Sequence, residues 1–162
     1  MDVVDTEVTF LQRFRRWNLG VSGGIRYARL DYETTAAGPF NIGNAVFEGA
    51  GPTVSAEARR DLGFAGLSVF GNARGAILLG DLNNTGLLRN LPVVKIKDET
   101  MQVFENQLGM AWTYDVTQTT QFELSSAWET QFWMNDTFAD DTLGIGSNLS
   151  FFGPTIRCEF RF

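Results

Sequence analysis

Glu123 and Glu129 come nearest to catalytic equipment in this sequence, because two carboxylates flanking a bond are what most glycoside hydrolysis requires. They fall in the stretch 121–132, where side-chain character alternates. The chain is therefore extended there, and the interval between them spans about 20 Å at about 3.3 Å per residue. The two carboxyl groups of such enzymes stand about 5 to 10 Å apart, so the pair is not read as catalytic. The sequence has no His, which removes the imidazole base, the Ser-His-Asp triad and the common zinc ligand sets. Its single Cys, Cys158, cannot form an intramolecular disulfide and falls in a row of apolar side chains, as a small apolar filler rather than a reactive thiol. No enzymatic activity, metal or cofactor is expected.

The other residues that could do chemistry are charged groups at alternate positions of extended segments: Asp5, Glu7, Arg13, Arg26, Glu57, Arg59, Arg74, Glu105, Glu123, Glu129, Arg157, Glu159 and Arg161. A wall carrying both signs could screen permeating ions. The same groups could equally pair with one another, since charges inside a protein must be solvated or matched. With 13 Lys and Arg against 19 Asp and Glu, a net charge of −6, and its basic residues scattered, the chain is not a nucleic-acid binder.

The elements that must position these groups are two-faced strands. In 121–132, Phe122, Leu124, Trp128 and Phe132 share one face, while Gln121, Glu123, Ser125, Glu129 and Gln131 share the other. One face wants hydrocarbon and the other water. The pattern recurs about every twenty residues, around Val4–Phe14, Leu19–Tyr27, Val46–Arg59, Leu67–Leu79, Phe104–Tyr114 and Phe152–Phe162, giving about seven strands. Several exceed the five or six residues usual in globular proteins and reach the roughly 9 to 11 that cross a bilayer at a tilt. Connections are short at Arg15-Arg16, Arg60–Gly63 and Asp115–Thr120, and long at Glu33–Asn44, Asp81–Lys97 and Met134–Gly146. Such asymmetry matches bacterial barrels, with short periplasmic turns and long external loops. Gly51–Arg59 and Gly153–Arg161 resemble each other, and Pro52 and Pro154 within them predict a bulge or kink.

No stretch has the 18 or more consecutive apolar residues of a membrane-spanning helix. Barrel strands need none, because they hide their apolar residues at every second position. Aromatics gather at strand ends: Phe14, Trp17, Phe64, Trp112, Tyr114, Phe122, Phe160 and Phe162 towards the short turns, and Tyr27, Tyr32, Phe47, Phe104, Phe132, Trp133 and Phe152 towards the long loops. Two girdles of this kind suit the two headgroup regions of a membrane. The sequence closes on an alternating strand with Phe160 and Phe162 in the outward row, which is similar to the signal that assembly machinery reads on outer-membrane barrels.

Phe47–Pro52, the run Leu67–Gly80 and Gly24–Leu30 resemble the Legionella-type major outer-membrane protein family. The resemblance implies an all-β, antiparallel transmembrane barrel of a Gram-negative outer membrane, pore-forming and passive towards small solutes or ions. Its partners would be outer-membrane lipid and the barrel assembly machinery. The chain departs from the family in having no signal peptide, and an odd count of strands predicts the C-terminal part of a larger barrel lacking upstream strands. Residues 1–162 are expected to form one domain. A structural or adhesive barrel with a plugged lumen is the alternative, and a soluble ligand-binding barrel a second one, whose interior would be apolar.

Overall fold

The computed structural model describes residues 1–35, 41–85, 94–135 and 148–161, with side chains left undescribed at 32–45, 84–96, 135–147 and 161. Its elements are seven strands: β1 (Asp2–Phe14), β2 (Trp17–Thr35), β3 (Asn41–Asp61), β4 (Leu67–Thr85), β5 (Val94–Asp115), β6 (Gln121–Asn135) and β7 (Leu149–Arg161). They form one antiparallel sheet in sequence order, β1 to β7. The fold is all-β, and among the described residues β1 and β7 do not pair with each other, so the sheet is curled but not closed.

Alternation dictates this arrangement. Side chains of a strand point to opposite faces in turn, so the register alone decides which residues share a face. Asp5 lies opposite Arg26, and Arg26 opposite Gly51. Arg74 lies opposite Glu105, and Glu123 opposite Glu159. These charged residues therefore stand on one face, and that face is concave. Val8, Phe10, Val21, Ile25, Val54, Ile77, Leu108, Trp128 and Ile156 stand on the other, and all are exposed. A water-soluble protein would not present such a continuous apolar surface, whereas a lipid-facing one must.

The turns on one side are short. Arg15 and Arg16 join β1 to β2, with Arg15 at φ 53°. Between β3 and β4 the chain turns through Gly63, Ala65 and Gly66, all with positive φ. Gly66 is required twice over: its φ is +68°, and a Cβ there would collide with the carbonyl oxygen of Thr113. The Thr113 amide in turn donates to the Gly66 carbonyl at 2.9 Å, tying this turn to the end of β5. At the β5–β6 turn the Thr117 hydroxyl accepts from the Thr120 amide at 2.9 Å.

On the opposite side the strands run further than expected. β2 reaches Thr35, β3 begins at Asn41, β4 reaches Thr85 and β5 begins at Val94, well inside the segments read as long loops. With 19 to 22 residues, β2 to β5 are about twice as long as a bilayer crossing needs. The expected bulges at the prolines are also absent. The β6–β7 register runs unshifted through Pro154, which pairs with Trp128. Pro52 keeps Ile25 as its β2 partner, and the β3–β4 pairing resumes in the same register beyond Gly51 and Pro52. Each proline simply forgoes one ladder donor, and Pro154 does so on an edge strand, where the cost is least. The irregularities fall instead between Thr34 and Thr35 and between Gly80 and Leu82, the latter facing Asp98 at φ 60°.

Candidate functional site

The concave face is layered along the strands. Its middle layer is an ion-pair network. Arg26 on β2 is 1% exposed, and its guanidinium donates to both oxygens of Asp5 at 2.7 and 2.9 Å and to both oxygens of Glu105 at 2.7 and 3.0 Å. Arg74 adds contacts to Asp5 and Glu7, each at 3.2 Å, and to Glu105 at 3.6 Å. Towards the short turns Arg59 meets Glu123 through two hydrogen bonds of 2.7 and 3.0 Å and lies 5.7 Å from the ring centroid of Phe70.

These pairs report the curvature of the sheet. Arg26 and Glu105 stand on β2 and β5, Asp5 and Arg74 on β1 and β4, Arg59 and Glu123 on β3 and β6. Each pair joins strands three apart, which in a flat sheet would be separated by about 14 Å at about 4.8 Å per strand. Contacts near 3 Å across that interval mean that the sheet rolls its charged face inward. Small residues make room for the roll: Gly51 is the register partner of Arg26, and Thr53 and Ser55 follow it on the same row of β3.

Beside the Arg59–Glu123 pair, which helps to line it, the face opens into a polar trough of about 460 Å³, lined also by Glu57, Asn72, Gln107, Glu129, Arg157 and Glu159. Gln107 reaches across β6 to the hydroxyl of Thr155 at 3.2 Å, over the small side chain of Ala127, and Gln131 donates to Glu129 at 2.6 Å. Glu57 and Arg157 are exposed. All eight charged residues expected to face the interior, Glu57, Arg59, Arg74, Glu105, Glu123, Glu129, Arg157 and Glu159, stand on this concave row. Arg161 belongs to the same row, with its side chain outside the described residues.

Towards the long loops the same face becomes apolar. Ala28, Leu30, Phe47, Ala76, Leu78, Leu82, Met101, Val103 and Trp133 form a buried cluster, and Val3 on β1 and Leu149 on β7 pack against it. All seven strands contribute. Phe47 and Trp133, read from sequence as girdle residues, are therefore interior ones, at 0% and 1% exposure. The signal for them in the sequence is an unbroken apolar run, Ala45-Val46-Phe47 and Phe132-Trp133-Met134, in which both faces of the strand are apolar.

The girdle residues Trp17, Trp112, Tyr114, Phe122, Phe132 and Phe160 stand on the outer face. Four form a continuous aromatic path over β5, β6 and β7 near the short turns: Trp112 to Tyr114 at 5.8 Å, Trp112 to Phe122 at 6.3 Å, and Phe122 to Phe160 at 5.1 Å between ring centroids. Trp17 carries the Arg60 guanidinium 5.4 Å from its ring, a pairing of aromatic ring and cation suited to a phospholipid interface. Phe162 lies outside the described residues, as does the side chain of Tyr32. Cys158 is exposed on the outer row opposite Leu124.

The family model described as "Legionella pneumophila major outer membrane protein precursor" matches residues 2–162. Comparison with characterised proteins and with solved structures gives no match.

Proposed function

We propose that this chain, which belongs to the Legionella pneumophila major outer membrane protein family, forms the wall of a porin-like passive channel for small solutes or ions. Its place is the bacterial outer membrane. The observation that carries the reading is the division of the sheet into an apolar outer face and an inner face bearing both signs of charge around a polar trough. A wall of this kind offers permeating solutes hydrogen bonds and charge in place of bulk water. Outer-membrane lipid would cover the outer face, and the assembly machinery would read the β7 end around Phe160. The decisive experiment is reconstitution into planar bilayers. Discrete, voltage-independent conductance steps support the channel, and an electrically silent inserted protein refutes it.

A second reading, a barrel with a plugged lumen, is favoured by the apolar cluster that all seven strands build on the inner face towards the long loops. Insertion without conductance is the outcome that reading expects.

A further inference from the structure

Two rungs of register partners bound the apolar band on the outer face of β1, β2 and β3: Phe14, Trp17 and Arg60 at the short-turn end, and Asp2, Arg29 and Glu48 at the long-loop end. Between them the outer rows carry no charge; on β3 they run Ala58, Ala56, Val54, Pro52 and Ala50. The interval from Arg60 to Glu48 is about 40 Å along the strand at about 3.3 Å per residue. At a barrel strand's tilt of about 40° this is about 30 Å of height, the thickness of a bilayer's hydrocarbon core. Arg60 and Trp17 therefore stand where hydrocarbon gives way to headgroups on the short-turn side, which is the periplasmic one in such barrels.

The chemistry at that level differs around the sheet. Over β5, β6 and β7 it is the rings of Trp112, Tyr114, Phe122 and Phe160, with no cation over them among the described residues. Over β1, β2 and β3 each ring carries one: the Arg60 guanidinium lies 5.4 Å from the Trp17 ring and the Arg15 guanidinium 5.5 Å from the Phe14 ring. Arg16 follows in the same turn, its guanidinium lying over Gly63. All three arginines are exposed and have no ion-pair partner among the described residues. Asp61, next to Arg60 in sequence, points to the other face, where it lines the interior beside Arg59 and Asn18. A guanidinium stacked on a ring keeps its N–H edge free, and that edge fits two phosphate oxygens at once.

We propose that Arg15, Arg16 and Arg60, with Phe14 and Trp17, form a binding site for the headgroup phosphate of an anionic phospholipid in the periplasmic leaflet. The guanidinium groups take the phosphate, and the two rings lie against the glycerol and the upper acyl chains. Three unpaired cations favour a headgroup of net negative charge, such as phosphatidylglycerol, over zwitterionic phosphatidylcholine, each contributing about fivefold near the surface. The site rests on the outer face meeting lipid and is independent of whether the lumen conducts.

The test places the full chain in phosphatidylcholine vesicles containing a minor fraction of lipid with brominated acyl chains, which quench the fluorescence of a tryptophan they touch. Trp112→Phe and Trp128→Phe leave Trp17 as the lipid-facing tryptophan, since Trp133 is buried. Brominated phosphatidylglycerol should quench Trp17 at a mole fraction on the order of tenfold or more below that needed with brominated phosphatidylcholine. Arg60→Gln should reduce this preference about fivefold, and Arg15→Gln, Arg16→Gln and Arg60→Gln together should abolish it. With the three arginines intact, salt at about 1 M should also remove it, because the Debye length falls to about 3 Å. In a companion protein that keeps Trp112 and carries Trp17→Phe and Trp128→Phe, the two lipids should quench alike. Equal quenching of Trp17 by the two lipids at low salt would overturn the proposal while leaving the outer face in lipid. A preference that survives the triple replacement, or one as large at Trp112, would overturn it by making the selection a property of the whole girdle. Loss of the preference on adding free glycerol 3-phosphate would overturn it in favour of a soluble phosphate ligand.

Discussion

Replacing Arg26 with Met should destabilise the protein through the two carboxylates it leaves behind. The guanidinium is fully buried and makes four hydrogen bonds of 2.7 to 3.0 Å to two carboxylates on strands at opposite sides of the curl. Without it, Asp5 and Glu105 face, among the described residues, only the Arg74 cation, at 3.2 and 3.6 Å. Removing one partner of a buried ion pair costs about 3 to 5 kcal/mol, because an uncompensated charge remains. Asp5 and Glu105 keep 23% and 15% of their side-chain surface exposed, which lets water absorb part of the loss and points to the lower end, about 3 kcal/mol. The cost should come from the stranded carboxylates rather than from lost packing. Adding Asp5→Asn and Glu105→Gln to Arg26→Met should therefore recover at least about half of it, since a buried ionic group replaced as a whole by neutral residues is often tolerated. Reversible urea unfolding from lipid vesicles measures both variants. A cost below about 1 kcal/mol for Arg26→Met, or a triple variant no more stable than the single one, would refute the claim that this network holds the curl.

Ile156→Arg, on the outer row of β7 at 76% exposure, should cost about 2 to 4 kcal/mol if it lies near the bilayer midplane, while Asn72→Arg, on the trough, should cost about 1 kcal/mol or less in the same assay. Equal costs would mean that the faces are assigned wrongly. Gly66→Ala should destabilise by about 1 to 2 kcal/mol or more, from its left-handed φ and the collision with Thr113, and should loosen the β3–β4 turn as seen by hydrogen exchange. Phe160→Ser should lower the amount of protein in the outer membrane without lowering synthesis, which quantitative blotting of membrane and total fractions checks; unchanged membrane levels would remove the β7 aromatics from the assembly signal.

The strands were legible in the sequence because a period of two survives wherever one face meets lipid and the other water. The run 121–132 shows it plainly, and its register with β5 and β7 follows the same parity throughout. The inner charged row was legible for the same reason. Which charges meet was not. Arg26 and Glu105 are 79 residues apart, and their contact depends on how tightly the sheet rolls, a property set by small residues such as Gly51 on strands lying between them. The long-loop ends of the strands are hidden from the sequence in a related way. Towards the long loops the inner face turns apolar while the outer face stays so, and the alternation that marks a strand fades into runs such as Ile77-Leu78-Leu79, with Ile77 and Leu79 outward and Leu78 buried inside. Trp133 illustrates the consequence. An aromatic near a strand end reads as a girdle residue from composition, yet its parity with Gln131 and Glu129 places it on the inner face, and an inner face without water there has only an apolar cluster to offer it. Parity should therefore outrank position along the strand when an aromatic is assigned to lipid or to the interior.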